Sequence, residues 1–269
     1  MYFENNHQRA VSRKLFYGWI ITLCCTLITM VNGGIFFTFS VFFKPVAINF
    51  AWSRSEMAIN YTTMLVSYAP GALFAGRLAD RHGPRKVLLI AALLIGLGFF
   101  GCTRANNLII MILSYAIIGL GLGATLALPT ATIQRWFQRF RATMVGVVNA
   151  GNSVGGLIFA PLANYLITLH GWQTAYLIIG IVFGVVVAIS AWFLISDPTM
   201  KRSRPFGCEG RGLHSSYHTR HKSVPPISIS QAFRNTTFWG MACLCILTFM
   251  PAFFISSHLV PYIIPLSVI

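Results

Sequence analysis

The stretch that decides the fold is Gly76-Arg77-Leu78-Ala79-Asp80-Arg81-His82-Gly83-Pro84-Arg85-Lys86. It closes one apolar segment and opens the next, so the chain must leave one helix and enter another within a few residues. Gly83 can take a positive φ without a side-chain clash. Pro84 can open the following helix, where its missing N–H costs nothing. The basic side chains suit lipid phosphates and water at a membrane face. Asp80 is the odd member, because a carboxylate is disfavoured at a helix C-terminus. It therefore calls for a partner: Arg81, Arg135 or an N–H group at the start of a neighbouring helix. The plainer reading is an ordinary positively charged loop.

Outward from this turn the chain is apolar. Of its 269 residues 56% are hydrophobic and 9% are charged, with a mean hydropathy of +0.70. Soluble domains carry about 25% charged residues. Runs of about 18 or more apolar residues are read as membrane-spanning helices. Seven segments stand out, at residues 16–43, 57–78, 87–103, 108–133, 142–169, 172–195 and 238–264. The pattern predicts an all-α, polytopic membrane protein. Before the second segment, Ser53 and Glu56 are spaced as a capping box that starts a helix. The first apolar run is too long for a cleavable signal.

The net charge of +15 would point to nucleic acid in a soluble protein. Here the charges collect between the segments, and topology explains them. With the N-terminus in the cytoplasm, only Lys44, Arg54 and Arg104 of the 20 lysines and arginines fall on the outer side. The reading is a multi-pass protein of the cell membrane with no nucleic-acid partner. Residues 1–195 are expected to form a six-helix bundle, 196–237 a basic cytoplasmic linker, and 238–269 a seventh helix. Within the linker, ISISQAFRN fits either a short surface helix or an extended connection. The cysteines lack metal-site spacing, and no metal or cofactor is called for. No nucleophile–base pair lies in the apolar segments, which argues against an enzyme.

The quoted turn resembles the signature loop of the major facilitator superfamily, G-x-x-x-D-R-x-G-x-R-K. Gly76, Asp80, Arg81, Gly83, Arg85 and Lys86 occupy its marked positions, and Pro84 replaces a residue that is often basic. The resemblance implies a cytoplasmic gate, with Asp80 as its locking residue and Arg135 nearby. Other stretches resemble the monocarboxylate and oxalate–formate carrier branch: YGWII at 17–21, VFFKPV at 41–46, WSRSE at 52–56, PTATIQRWF at 129–137, Gly171-Trp172 and QAFRNTTFW at 231–239. Such a carrier has two six-helix halves, each a 3+3 inverted repeat, and works by alternating access. By that comparison the chain is a truncated one, holding the first half and one helix of the second. It would be a secondary transporter of small organic anions such as monocarboxylates, coupled to a proton or a counter-anion. The alternative is a transport-inactive fragment, or one that needs a partner for the missing helices.

Two departures qualify the resemblance. Similar monocarboxylate carriers have a lysine in the first helix, and Phe37 stands near that position. Many proton-coupled members carry an arginine in helix four, where Tyr115 stands. The polar groups left to line a cavity are neutral: Asn32, Asn60, Tyr68, Tyr115, Asn149 and Asn152. Amides and phenols donate hydrogen bonds to an anion without charge, but polar groups also join helix to helix in membranes. The glycines of segments four and five, with Pro161, read first as close-packing positions. They are also a partial match to an antiporter pattern.

Overall fold

The computed structural model describes residues 17–137 and 140–194, then Thr236, residues 238–240, Cys243, Leu244 and Leu247. The chain divides into two units, residues 1–209 and 210–269. In the second, the described residues are helical. Most of the expected seventh segment, and all of the stretch 196–235, lie outside the described residues.

The first unit is a bundle of α1 (Tyr17–Phe50), α2 (Arg54–His82), α3 (Pro84–Thr103), α4 (Leu108–Trp136) and α5 (Arg141–Phe193). The fold is all-α and polytopic. α1, α3, α4 and α5 are each long and apolar enough to cross a membrane. α2 is as long as α4, 29 residues. It is more polar than a span judged by composition alone, because charges crowd its ends and Asn60, Thr62, Thr63 and Ser67 interrupt it. Its buried face, including Met57, Asn60, Met64, Gly71 and Ala75, is turned inward, and its main neighbour is α4.

α5 runs for 53 residues because two helices join at Gly171, where φ is 78° and ψ 165°. That backbone is open to glycine and strained for other residues. Phe159 and Phe183 lie at equal distances along the chain from Gly171, and their rings meet at 4.7 Å. The two limbs therefore run antiparallel, as the fifth and sixth segments of the sequence reading.

The element starts follow local chemistry. The Ser53–Glu56 capping box is present in both directions. The Ser53 amide and hydroxyl donate to Glu56 Oε2 at 2.7 and 2.8 Å, and they hold its carboxyl below the usual range. Asn107 caps α4 by accepting from the Ile110 amide at 2.9 Å. Gly83 has φ 83°, its amide bonds Ala79 at 2.8 Å, and Pro84 opens α3. α1 is longer than its apolar run, passing through Pro45 to Phe50. It ends where Ala51 turns left-handed, at φ 53°. The Trp52 amide then reaches Ala47 O at 3.0 Å and the Ala51 amide Ile48 O at 3.4 Å. These two bonds satisfy carbonyls that a helix end leaves open.

Packing is closest between α1 and the first limb of α5. A Cβ on Gly33 would collide with the Asn152 carbonyl, and one on Gly155 with the Met30 carbonyl. Small residues of this kind let backbones approach where lipid supplies no hydrophobic drive between helices. Thr29 seals the same seam, donating within hydrogen-bonding reach of Val148 O at 2.6 Å. The second limb of α5 lies against α3 and α1: Gly180 faces Phe99, and Tyr176 stacks on Phe42 at 3.8 Å.

Candidate functional site

The alternation of helices brings the start of α1, the α2–α3 turn, the end of α4 and the end of α5 to one end of the bundle. Contacts between the helices tie that end together. The Tyr17 hydroxyl donates to Phe193 O at 2.8 Å. The Tyr17 and Trp136 rings lie 5.7 Å apart. The Arg85 guanidinium sits 4.3 Å from the centre of the Trp192 ring, a cation–π contact between the start of α3 and the end of α5.

The turn residues divide by role. Gly83 and Pro84 shape the reversal, and Arg85 anchors it. Gly76 has open space where a Cβ would stand. Asp80, Arg81 and Lys86 are exposed, as is Arg135 in the last turn of α4. Among the described residues Asp80 makes no hydrogen bond or ion pair, so the partner expected for it is not found there. Its carboxylate is exposed, and an exposed charge carries no burial cost that would demand one.

The neutral polar candidates fall into two groups. Around the middle of the bundle, Asn32 is buried, and its amide donates to Thr125 Oγ1 at 2.8 Å. Tyr68 is half-buried, lies beside Asn32, and sets its ring 6.0 Å from Phe36. Asn152 is half-buried on α5, with its backbone against Gly33 and a side-chain oxygen that no described residue serves. Asn149, one turn earlier, is exposed. The other group lies toward the opposite end. Asn60 is fully buried; its amide donates to Glu56 O at 3.2 Å, and its side-chain oxygen has no partner among the described residues.

Tyr115 is packed into the core, edge-on to Phe39 with ring centres 5.5 Å apart. Its hydroxyl is 2.7 Å from that of Tyr176. The sequence reading missed Tyr176, which is nearly inaccessible. Its signal was the spacing: Trp172 and Tyr176 stand one helical turn apart, and both rings face the bundle.

A polar turn ordered by Gly83 and Pro84, with Asp80 and its basic neighbours exposed, thus sits at one end of an apolar bundle. The Major Facilitator Superfamily profile matches residues 25–267. The chain belongs to the Major Facilitator Superfamily. This is a superfamily of membrane transporters rather than of enzymes.

Individual relatives are more distant. The chain is 26% identical to human monocarboxylate transporter 11 over 61% of its own length and 35% of that protein's. It is 24% identical to the oxalate:formate antiporter of Oxalobacter formigenes over 72% of its length and 46% of the antiporter's. With the gallate transporter of Pseudomonas putida it shares 28% identity over 66% of its length and 40% of the other's. The chain thus spans less than half the length of each of these relatives.

Proposed function

We propose that this chain acts in secondary active transport of small organic anions, monocarboxylates among them, by alternating access. The observation that carries the reading is the turn at residues 76–86. It is shaped by Gly83, Pro84 and the Arg85–Trp192 contact, yet it leaves Asp80 exposed and without a partner among the described residues. A carboxylate held in place but not used within its own bundle is suited to engage a surface that approaches and leaves. That is the work of a gate. We place this end, with the N-terminus, on the cytoplasmic side of the plasma membrane, as the lysine and arginine distribution favours.

The substrate class rests on the relatives, whose names specify monocarboxylates, oxalate and formate, and gallate. The polar interior agrees with small, hydrogen-bonding cargo. Tyr68, Asn149 and Asn152 are the cavity residues this reading retains. Asn32, Asn60 and Tyr115 are buried and hydrogen-bonded within the bundle, so they act first as packing groups, whereas Tyr68, though it meets Asn32, is only half-buried. No Asp, Glu, Lys or Arg sits deep in segments one to six, so the group that binds a coupling proton or counter-anion belongs elsewhere in the working transporter. The basic stretch 196–237 then serves as the linker between halves.

The coverage of the relatives supports a second reading, in which these residues alone are transport-inactive and the bundle works only with further helices. Uptake of radiolabelled formate, oxalate, benzoate and gallate into proteoliposomes holding the purified chain tests both. Saturable uptake of at least one acid, competed by the others, supports the first reading. Uptake no greater than in empty liposomes for all four rejects it in favour of the second.

A further inference from the structure

α3 and the second limb of α5 both turn apolar surface outward, and both surfaces end in charge at the same place. On the second limb, Ile181, Val185, Ile189 and Trp192 are exposed at one-turn intervals. On α3, Ile90, Leu93 and Leu97 are exposed in the same way, and Lys86 stands exposed one turn before them. The two helices pack side by side, with Gly180 against Phe99 and Gly184 against Ala92 O, 3.5 Å from where a Cβ would stand. From Ile181 to Trp192 the chain advances about 16 Å along the helix axis. One leaflet of a bilayer's hydrocarbon core is about 15 Å deep. The stripe is therefore one leaflet long, and Trp192 marks the level of the headgroups, where tryptophan is enriched.

Arg85 joins the two stripes at that level. It is half-buried, and its guanidinium lies 4.3 Å from the centre of the Trp192 ring. A guanidinium held over an aromatic face keeps the N–H groups along its edges for other partners. Among the described residues Arg85 makes no hydrogen bond or ion pair, and neither does Lys86 beside it. Asp80, the acidic residue described at this end, pairs with neither. Two cations, one of them fixed on a ring, thus stand over an apolar wall with no described carboxylate to use them. Arginine in this setting matches phosphate with two parallel hydrogen bonds.

We propose that this corner of the bundle binds one anionic phospholipid, its phosphate on Arg85 and Lys86 and its acyl chains along the stripes of α3 and the second limb of α5. The combination of charge and wall decides the class of partner. A free phosphate would use the cations and leave the wall idle. A zwitterionic lipid would fit the wall but bring a cation of its own toward Lys86. Basic pockets between helices at a membrane surface take anionic headgroups, and each cation there is worth about fivefold in affinity.

The test uses the full chain in phosphatidylcholine nanodiscs that carry a rising fraction of brominated lipid. The bromine sits near the headgroup end of the acyl chains, where it quenches an adjacent indole. The emission lost in Trp192→Phe isolates Trp192 from the other tryptophans. Brominated phosphatidylglycerol should quench Trp192 saturably, at a mole fraction at least about tenfold lower than brominated phosphatidylcholine needs. Arg85→Gln and Lys86→Gln together should bring the two lipids within about twofold of each other. Where that pair lowers thermal stability, Lys86→Gln alone keeps the Trp192 contact and should cut the preference about fivefold. Arg141→Gln removes a charge at the start of the first limb of α5, outside the site, and should leave the preference intact. Equal quenching by the two lipids overturns the proposal. So does an equal loss in Arg141→Gln, which would assign the preference to the diffuse charge of this end. Inorganic phosphate that reverses the quenching, where chloride at equal ionic strength does not, gives the cations to a free anion and overturns it as well. The readout involves no substrate. A chain that prefers phosphatidylglycerol at Trp192 but takes up no acid keeps this site and loses the transport reading.

Discussion

The two ends of the bundle are built on opposite principles. At the end opposite the gate turn, aromatic rings close the interior. Phe42 stacks on Tyr176 at 3.8 Å, Phe50 on Trp52 at 4.4 Å, and the Tyr115 and Tyr176 hydroxyls satisfy one another at 2.7 Å. At the gate end the backbone is fixed by Gly83, Pro84 and Arg85, while Asp80, Arg81, Lys86 and Arg135 are displayed to solvent. The tyrosine pair is used within the bundle, whereas Asp80 and its exposed basic neighbours are held in reserve. In a membrane, where unpaired polar groups are costly, such a reserve belongs at a surface that meets something else.

That contrast can be broken by substitution. The largest effect is expected at the aromatic end. Phe42→Ala removes the ring stacked on Tyr176 and should cost about 3–5 kcal/mol, measured by denaturant unfolding in detergent; a loss below about 1 kcal/mol would mean the stack is not structural. Next comes Tyr176→Phe, which keeps the ring but strands the Tyr115 hydroxyl. It should cost about 1–3 kcal/mol in the same assay. At the gate end, Arg85→Gln should cost only about 0.5–1 kcal/mol, the value of an exposed cation–π contact. It should also quench less of the Trp192 fluorescence, which gives a direct readout.

Ala51→Gly has the opposite sign. Its left-handed φ of 53° suits glycine, so the variant should gain up to about 1 kcal/mol. An unchanged thermal midpoint would show that the end of α1 relaxes.

The sequence made the helices and the turn at residues 76–86 legible because their signals are local. The Ser53–Glu56 cap, the Gly83–Pro84 reversal and the Gly171 break each depend on residues a few positions apart. The end of α1 was less clear, since Lys44 and Pro45 look like a stop. The helix continues because a proline gives up one backbone bond and the left-handed turn comes only at Ala51. Non-local pairings were illegible. Nothing near Tyr115 in the chain points to Tyr176, and nothing near Asn32 points to Thr125. Those partners exist only once α1, α4 and α5 are packed together. For Asp80 the sequence named a need for a partner but not which one, and no described residue supplies it.

The smallest effect on stability, and the largest on function, is expected from one variant. Asp80→Asn removes an exposed charge with no partner among the described residues, so its thermal midpoint in detergent should match that of the parent chain. Measured beside that midpoint, its saturable uptake of labelled acid into proteoliposomes should fall at least about tenfold. Equal midpoint with lost uptake is the result the account predicts. Unchanged uptake at equal stability, or a loss of uptake that only follows a loss of stability, would contradict the assignment of Asp80 to a gate.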